Sequence, residues 1–429
     1  MRKRGGVDLN RKKLLLISQN FYPEIGSAGN RMKNVFLLLK ESGYDVTVVT
    51  AEPTYPDRQL YEEEKFWDDK EFEHIHGSAI HRVTVKNRSY SSSFVSRLLY
   101  YIEIAFKILF FILCDKKKYD FVLATSPPIF IGIVGLAAKL RFRCKMILDI
   151  RDLWPESLRG VGVFNQGWIV ALFKWIEAML YRHADHILVN SMGFNHYITA
   201  NGKVPESKIS FLPNAAREYE FQQLTPPTAD FKVIYSGNIG LAQDVELLKG
   251  LAKRLHNHGI RLSIAGYGVK REELFEFVRR EKLTNVAFIS PLTRSECLKV
   301  NASHHAGFVS LSDKEVFDTV LPGKVIDYLS CRLPVVAAVS GYTKDFIENQ
   351  KVGYVSETRN MDEIVEYLLM LAKHPAMRKK LADNCESCAR ESFLWEKNIE
   401  VILQLMESGQ TETQQRLNSE YKKRKVGSL

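Results

Sequence analysis

Cysteine is scarce in this chain of 429 residues: there are six, and Cys114, Cys144, Cys297 and Cys331 are scattered through apolar segments. Such spacing draws no disulfide framework, and the thiols read as reduced core residues of a cytosolic protein. Cys385 and Cys388 form a CxxC in the helical stretch DNCESCARE. Without a second pair they read as two thiols on a helix face rather than a metal or redox site. Long hydrophobic runs are lacking as well. After the basic N-terminus, MRKRGGVDLNRKK, the apolar run Leu14 to Ile17 has the length of one buried strand, so no signal peptide is expected. The most apolar stretch, Leu98 to Cys114, is interrupted by Glu103 and Lys107. It falls short of the ~20 apolar residues that span a bilayer. Metal-ligand spacings are missing: there is no DxD flanked by strands and no HxxxH, and His304 and His305 would point opposite ways on a strand. No metal or cofactor is therefore expected. Neither a GxGxxG fingerprint nor a phosphate loop occurs, and there is no short-period repeat.

What is present is an ordinary globular composition, 45% hydrophobic and 26% charged. The length suits two to three domains at ~150 residues each. Strand-like and helix-like patterns alternate. The run Leu14–Ser18 precedes a turn-rich loop, a helical pattern from Arg31 to Ser42 ends at Gly43, and DVTVVT follows as a strand. This βαβ order implies a parallel sheet. It continues through strands near residues 121–125, 145–150 and 186–190, with helices between them. A loop with Pro213, Pro226 and Pro227 reads as a linker, and a second alternating series begins at Phe231. The expectation is α/β: two doubly wound Rossmann-like domains facing across a cleft. Residues 1–215 form the first, 216–395 the second, and 396–429 a helix and a polar, fraying tail.

The site candidates sit where strands end, which is where open α/β sheets bind ligands. After the first strand comes PEIGSAGN, whose Gly26, Ser27 and Gly29 precede a helix start, a place suited to phosphate or to a simple tight turn. After the strand ending at Ile150 comes RDLWPE. There Asp152 or Glu156 could act in proton transfer, with Arg151 and Trp154 beside them, or Asp152 could cap the next helix while Trp154 packs. The second unit repeats the glycine-loop design in YSGNIGLAQD, with Gly237, Asn238, Gly240 and Gln243, and again at Gly266 and Gly268. Finally, LPGKVIDYL places Lys324 in the first turn of a helix, where the macrodipole disfavours a cation. A bound diphosphate would relieve that conflict. Asp327, three residues on, could accept two ribose hydroxyls, or the two could form an exposed Lys–Asp pair.

Charge is uneven. The net charge is +10, and from Arg97 to Lys145 nine Lys/Arg face three Asp/Glu. The tail adds Lys422, Lys423, Arg424 and Lys425. Basic patches suit anionic partners. In the Leu98–Cys114 stretch, Glu103 and Lys107 are spaced to pair on one helix face, and Lys116–Lys118 follows directly. The stretch reads as a helix lying in an anionic membrane interface, or as a buried core helix. No nucleic-acid recognition motif is present.

Taken together, NFYPEIGSAGNRM, GYDVTVVT, ATSPP, LDIRDLWPES, LPNA, YSGNIGLAQDVE, AGYG and LPGKVIDYLSCRLPVVA resemble the retaining family-4 glycosyltransferases. The nearest likeness is to bacterial exopolysaccharide and O-antigen sugar transferases of the colanic-acid type. The motifs run in one order over roughly residues 14 to 395. The resemblance implies a GT-B type fold with the nucleotide on the second domain, and Gly26 and its neighbours closing over the donor diphosphate. Lys324 matches the family lysine near the diphosphate, and Asp327 matches a ribose-binding glutamate. The family's other glutamate falls at Thr319, which is no carboxylate, and Glu315 and Asp318 are near enough to substitute. By analogy the reaction is metal-independent hexosyl or N-acetylhexosaminyl transfer from a nucleoside-diphosphate sugar, a UDP-sugar first. The acceptor is a lipid-linked saccharide such as a polyprenyl-diphosphate-linked glycan. The enzyme would sit in the cytoplasm, on the inner face of the plasma membrane. A nucleotide-sugar 2-epimerase on the same fold and an inactive scaffold are the alternatives.

Overall fold

A computed structural model describes residues 12–72, 79–85, 94–162, 167–224, 227 and 230–408. The basic tail residues 422–425 and the expected fraying segment lie outside the described residues. The first sheet has seven parallel strands. They are β1 (Lys13–Ile17), β2 (Asp45–Ala51), β3 (Ile80–Val83), β4 (Phe121–Ser126), β5 (Lys145–Ile150), β6 (His186–Val189) and β7 (Ile209–Phe211). The second has six: β8 (Lys232–Asn238), β9 (Arg261–Tyr267), β10 (Val286–Phe288), β11 (Ala306–Ser310), β12 (Val335–Ala338) and β13 (Gly353–Val355). The orders are β3-β2-β1-β4-β5-β6-β7 and β10-β9-β8-β11-β12-β13. Both reverse direction beside their first strand, between β1 and β4 and between β8 and β11. That switch point opens a crevice at the carboxyl ends of the strands. Two doubly wound domains therefore face each other, as the alternation predicts.

Burial explains why the runs are continuous rather than alternating. Leu14–Ile17 and Phe121–Ser126 are buried along their whole length, because helices cover both faces. One expectation needs correction. The loop YSGNIG begins later than its glycines suggest: Ser236, Gly237 and Asn238 still pair in register with Ala265, Gly266 and Tyr267. The C-terminal segment is helical over Trp395–Asn398 and Glu400–Ser408 and packs on the first domain. After a bridge between Ala216 and Leu394, the chain returns to the first domain. There Lys12 Nζ donates to the Met406 carbonyl at 2.6 Å. Trp395, almost fully buried, lies beneath the Arg31 guanidinium, 5.8 Å from its carbon.

The apolar stretch forms the helix Phe94–Cys114, and Glu103 and Lys107 pair at 2.7 Å. Tyr100, Ile104, Ile108 and Ile112 are buried, while Leu99, Ile102, Phe106, Phe110 and Leu113 are exposed. Among the described residues, no helix is long and apolar enough to cross a membrane. The neighbouring helices Ile129–Phe142 and Gly167–His183 add exposed Leu140, Trp168, Leu172 and Trp175. The outer helices of the second domain are ordinary by contrast, tied by Lys249 to Glu246 and Glu273 and by Arg254 to Asp362.

Candidate active site

Between the domains lies a cleft of about 950 Å³. Two helix starts converge on it. The Ser27–Glu41 helix begins at Gly26 and the Gly323–Ser330 helix at Pro322; neither has a side-chain cap nor an acid in its first turn. Their first amides are thus left for a ligand or water. Elsewhere the chain caps such ends: Asp244 accepts from the Leu247 amide, and Thr293 and Glu296 form a capping box. The two starts nearly touch, since a Cβ on Gly323 would lie 3.3 Å from Ser27 Cβ and 3.2 Å from Asn214 Nδ2. Gly26 itself sits at φ +114°, and a Cβ there would meet the Tyr267 hydroxyl of the opposite domain at 2.9 Å. Only glycine meets both demands. Tyr55 also crosses the cleft, donating to Asn238 Oδ1 at 2.9 Å.

Lys324 is the most unusual group. Its ammonium nitrogen is buried and has no hydrogen-bond partner among the described residues. It lies 3.7 Å from the centre of the Tyr235 ring. Burial pushes its pKa down to about 7, against a smaller upward pull from Asp327. Around the same cleft, the Asn190 and Asn214 amide oxygens, the Tyr22 hydroxyl and Arg151 Nε are also buried without partners. A cleft wall with so many unmet polar atoms is arranged for a polar ligand.

The first-domain wall carries carboxyls. Asp152 lines the cleft, its carboxyl pushed up to about 6 by burial against hydrogen bonds from Ser157 and the Leu153 amide. Glu24, at 6% exposure, is pushed up to about 7 by the same cause. Asn20 and the Thr54 amide donate to it. Arg151 is wedged behind them, its Nη2 donating to the Pro127 carbonyl at 2.7 Å. Beneath, Arg31 and Asp149 form a buried pair, with Nη2–Oδ1 at 2.6 Å and Nε–Oδ2 at 3.0 Å. On the second-domain wall, Asp327 accepts from Arg294, which also forks onto Glu220.

The structure therefore gathers Gly26, Ser27, Gly29, Arg151, Asp152, Gly237, Asn238, Gln243, Lys324 and Asp327 at the cleft. It leaves other candidates out. Trp154 is packed among Phe173, Tyr101 and Phe130 at 5.5–6.3 Å between ring centres, so its bulk serves the core. Glu156 pairs with Arg159 and Lys174. The turn Glu315–Thr319 presents Phe317 to the cleft rather than Glu315, Asp318 or Thr319. The Thr319 hydroxyl donates to the Val316 carbonyl at 2.7 Å, and its own carbonyl accepts from Ser191 at 2.6 Å. Gly240, Gly266 and Gly268 stand behind the lining and make room for Asn238 and Ile239. The Gly240 amide is already taken by Gln243 Oε1 at 2.9 Å. Sequence reasoning missed Glu24, Glu220 and Arg294. Glu24 sits inside the quoted PEIGSAG, but Glu220 lies in the linker and Arg294 in no motif. No group of three His, Cys, Asp or Glu among the described residues could hold a metal ion.

Two family models cover most of the chain. Residues 26–215 match the glycosyl transferase 4-like domain and residues 216–387 the glycosyl transferases group 1. The chain is 25% identical over 350 residues to the Escherichia coli protein named as colanic acid biosynthesis glycosyl transferase WcaI, covering 77% of this chain and 84% of that one. It is 24% identical to the sulfoquinovosyl transferase SQD2 of Arabidopsis thaliana, over 90% and 71% of the two chains. In fold it is similar to sucrose-phosphate synthase from Thermosynechococcus elongatus, with TM-score 0.72, 14% identity and coverage of 92% and 98%. It is also similar to HepE of Anabaena, crystallised with UDP and glucose, with TM-score 0.67, 14% identity and coverage of 93% and 100%. With the fold, the cleft and both domain matches in agreement, the chain belongs to the GT-B glycosyltransferases built from a 4-like domain followed by a group 1 domain.

Proposed function

We propose that this enzyme transfers a sugar from a nucleoside-diphosphate sugar, a UDP-sugar first, to a lipid-linked saccharide during assembly of a cell-surface polysaccharide. The transfer retains the anomeric configuration and uses no metal. The observation that carries this reading is Lys324: a buried ammonium without a partner, beside two uncapped helix starts, fits a diphosphate. As the bond to the sugar breaks, negative charge grows on the leaving diphosphate. Lys324 and the amides of Ser27, Gly323 and their neighbours oppose that charge in a water-poor site. In a retaining displacement on one face of the sugar, the leaving phosphate takes the acceptor's proton. Asp152 orients the acceptor hydroxyl from the opposite wall. UDP in the HepE crystal supports the choice of base.

The apolar belt supports a membrane-bound acceptor. Phe106 and Phe110 are 70% and 65% exposed and Trp168 is 72% exposed, with Lys116–Lys118 at the end of the stripe. Exposed aromatics flanked by cations suit an anionic bilayer surface. Replacing Phe106 and Phe110 with Glu is expected to release the protein from phosphatidylglycerol vesicles; unchanged sedimentation with vesicles would remove the membrane from the reading.

The donor test is thermal unfolding with UDP, GDP, dTDP and CMP in turn. A ligand at ~100 times its dissociation constant adds about 2.7 kcal/mol of stability. Selective stabilisation by UDP is expected. No shift with any nucleotide would refute the donor site. Turnover of the donor to a new nucleotide sugar, without acceptor, would favour an epimerase instead.

A further inference from the structure

Lys324 and Asp327 stand three residues apart on one helix, the spacing at which a lysine and a carboxylate meet. Yet no hydrogen bond reaches the lysine nitrogen. The carboxylate is engaged elsewhere: Asp327 Oδ1 accepts from Arg294 Nη1. Arg294 in turn forks onto Glu220, with Nε–Oε1 at 3.0 Å and Nη2–Oε2 at 3.2 Å. Glu220 is 8% exposed in its side chain and accepts from the Arg217 amide at 3.0 Å. The three groups come from three elements. Glu220 lies in the turn Glu218–Gln223, Arg294 opens the helix Arg294–Ala302, and Asp327 belongs to Gly323–Ser330. A cation in a helix's first turn is disfavoured by the dipole, so Arg294 is held there by its two carboxylates.

On the reading that Lys324 receives the donor diphosphate, we propose that Arg294 is a positioning residue that keeps this lysine available, by holding Asp327 away from it. Glu220 anchors Arg294 from the far side. The site thereby keeps a carboxylate for a ribose next to a cation for a phosphate without letting the two neutralise each other. Without Arg294, Asp327 swings onto Lys324, and an incoming diphosphate must displace it.

The consequence is a loss that a second loss repairs. Inorganic pyrophosphate is the probe, because it tests the lysine without the ribose, and its binding is measured by calorimetry. Arg294→Gln with Glu220→Gln removes the buried pair together, so neither charge is left alone, and circular dichroism checks the fold. This variant is expected to bind pyrophosphate about 10-fold more weakly than the wild type, the size of one charge-assisted contact. Adding Asp327→Asn is expected to restore binding to within about 3-fold of the wild type. Arg294→Lys, which keeps the charge and loses the fork, should fall between. A merely structural role for Arg294 predicts no repair. If Asp327→Asn leaves the defect unchanged or deepens it in folded protein, or if no defect appears, Arg294 does not shield Lys324. Failure of the wild type to bind both pyrophosphate and UDP would instead overturn the donor site on which the proposal rests.

Discussion

The two walls of the cleft are built alike but bury different groups, carboxyls on one and a lysine on the other. Each consists of a parallel sheet and an uncapped helix start that carries a glycine. On the first-domain wall, burial pushes Glu24 and Asp152 up to about 7 and about 6, toward their neutral forms. On the second-domain wall, burial pushes Lys324 down to about 7, also toward neutrality. The same desolvation thus loosens a proton's hold on one side and tightens it on the other. The fold supplies the crevice, and on the proposed function a few side chains would fit one wall to anions and the other to hydroxyl groups.

Lys324→Ala should have the largest effect on this contrast. It removes the buried cation, and kcat/KM should fall by at least ~100-fold, the scale of losing one preorganised stabiliser of developing charge. Near-normal kinetics would show that the walls do not differ in the proposed way. Asp152→Asn comes next, with a fall of ~10–100-fold in turnover and little change in UDP affinity, since it lies on the other wall. A matching loss of UDP affinity would merge the two walls into one site.

Smaller but more diagnostic is the pH profile of kcat/KM in the free enzyme. Asp152 is ionised above about 6 and Lys324 is charged below about 7. Activity should rise with pH through about 6 and fall through about 7, a narrow bell. Lys324→Arg should erase the upper limb while leaving the lower one. The smallest effect concerns stability. The folded pKa of Lys324 lies below its ordinary value of 10.5, so the unfolded chain binds more protons between about 7 and 10.5. Stability therefore rises with pH across that window, and the charged lysine costs stability at neutral pH and below. Lys324→Met should raise the melting temperature by ~2–4 °C at pH 7, the shift expected from about 1 kcal/mol in a domain of this size. A lower melting temperature would mean that the ammonium is not strained in the empty cleft.

Long-range order was legible in the sequence where burial imposes a pattern. The runs at Leu14–Ile17 and DVTVVT are sheet centres and read clearly. The strands that escaped notice, β3, β7 and β13, are three or four residues long and lie at sheet edges, where no continuous apolar run is required. The site was legible for the same reason in part. Glycines and Lys324 break local rules, and a broken rule is visible without coordinates. Glu220 and Arg294 break none. Their meaning comes from a meeting between segments 74 residues apart, which no local pattern records. Trp154 stayed open between site and core, because an aromatic beside charges at a strand end suits both equally well, and its ring neighbours decide for the core.

The return of the chain at Ala216 and Leu394 bears on how such enzymes can be recombined. The first domain is completed by residues that follow the second, since Trp395 sits against Arg31 and Met406 takes the Lys12 ammonium. A chimera that exchanges donor specificity with a relative must therefore be cut at both crossings, carrying residues 217–393 as an insert. A single junction near residue 216 would supply a foreign plug to the buried Arg31–Asp149 pair, and the hybrid should express poorly whatever the merits of its new donor site.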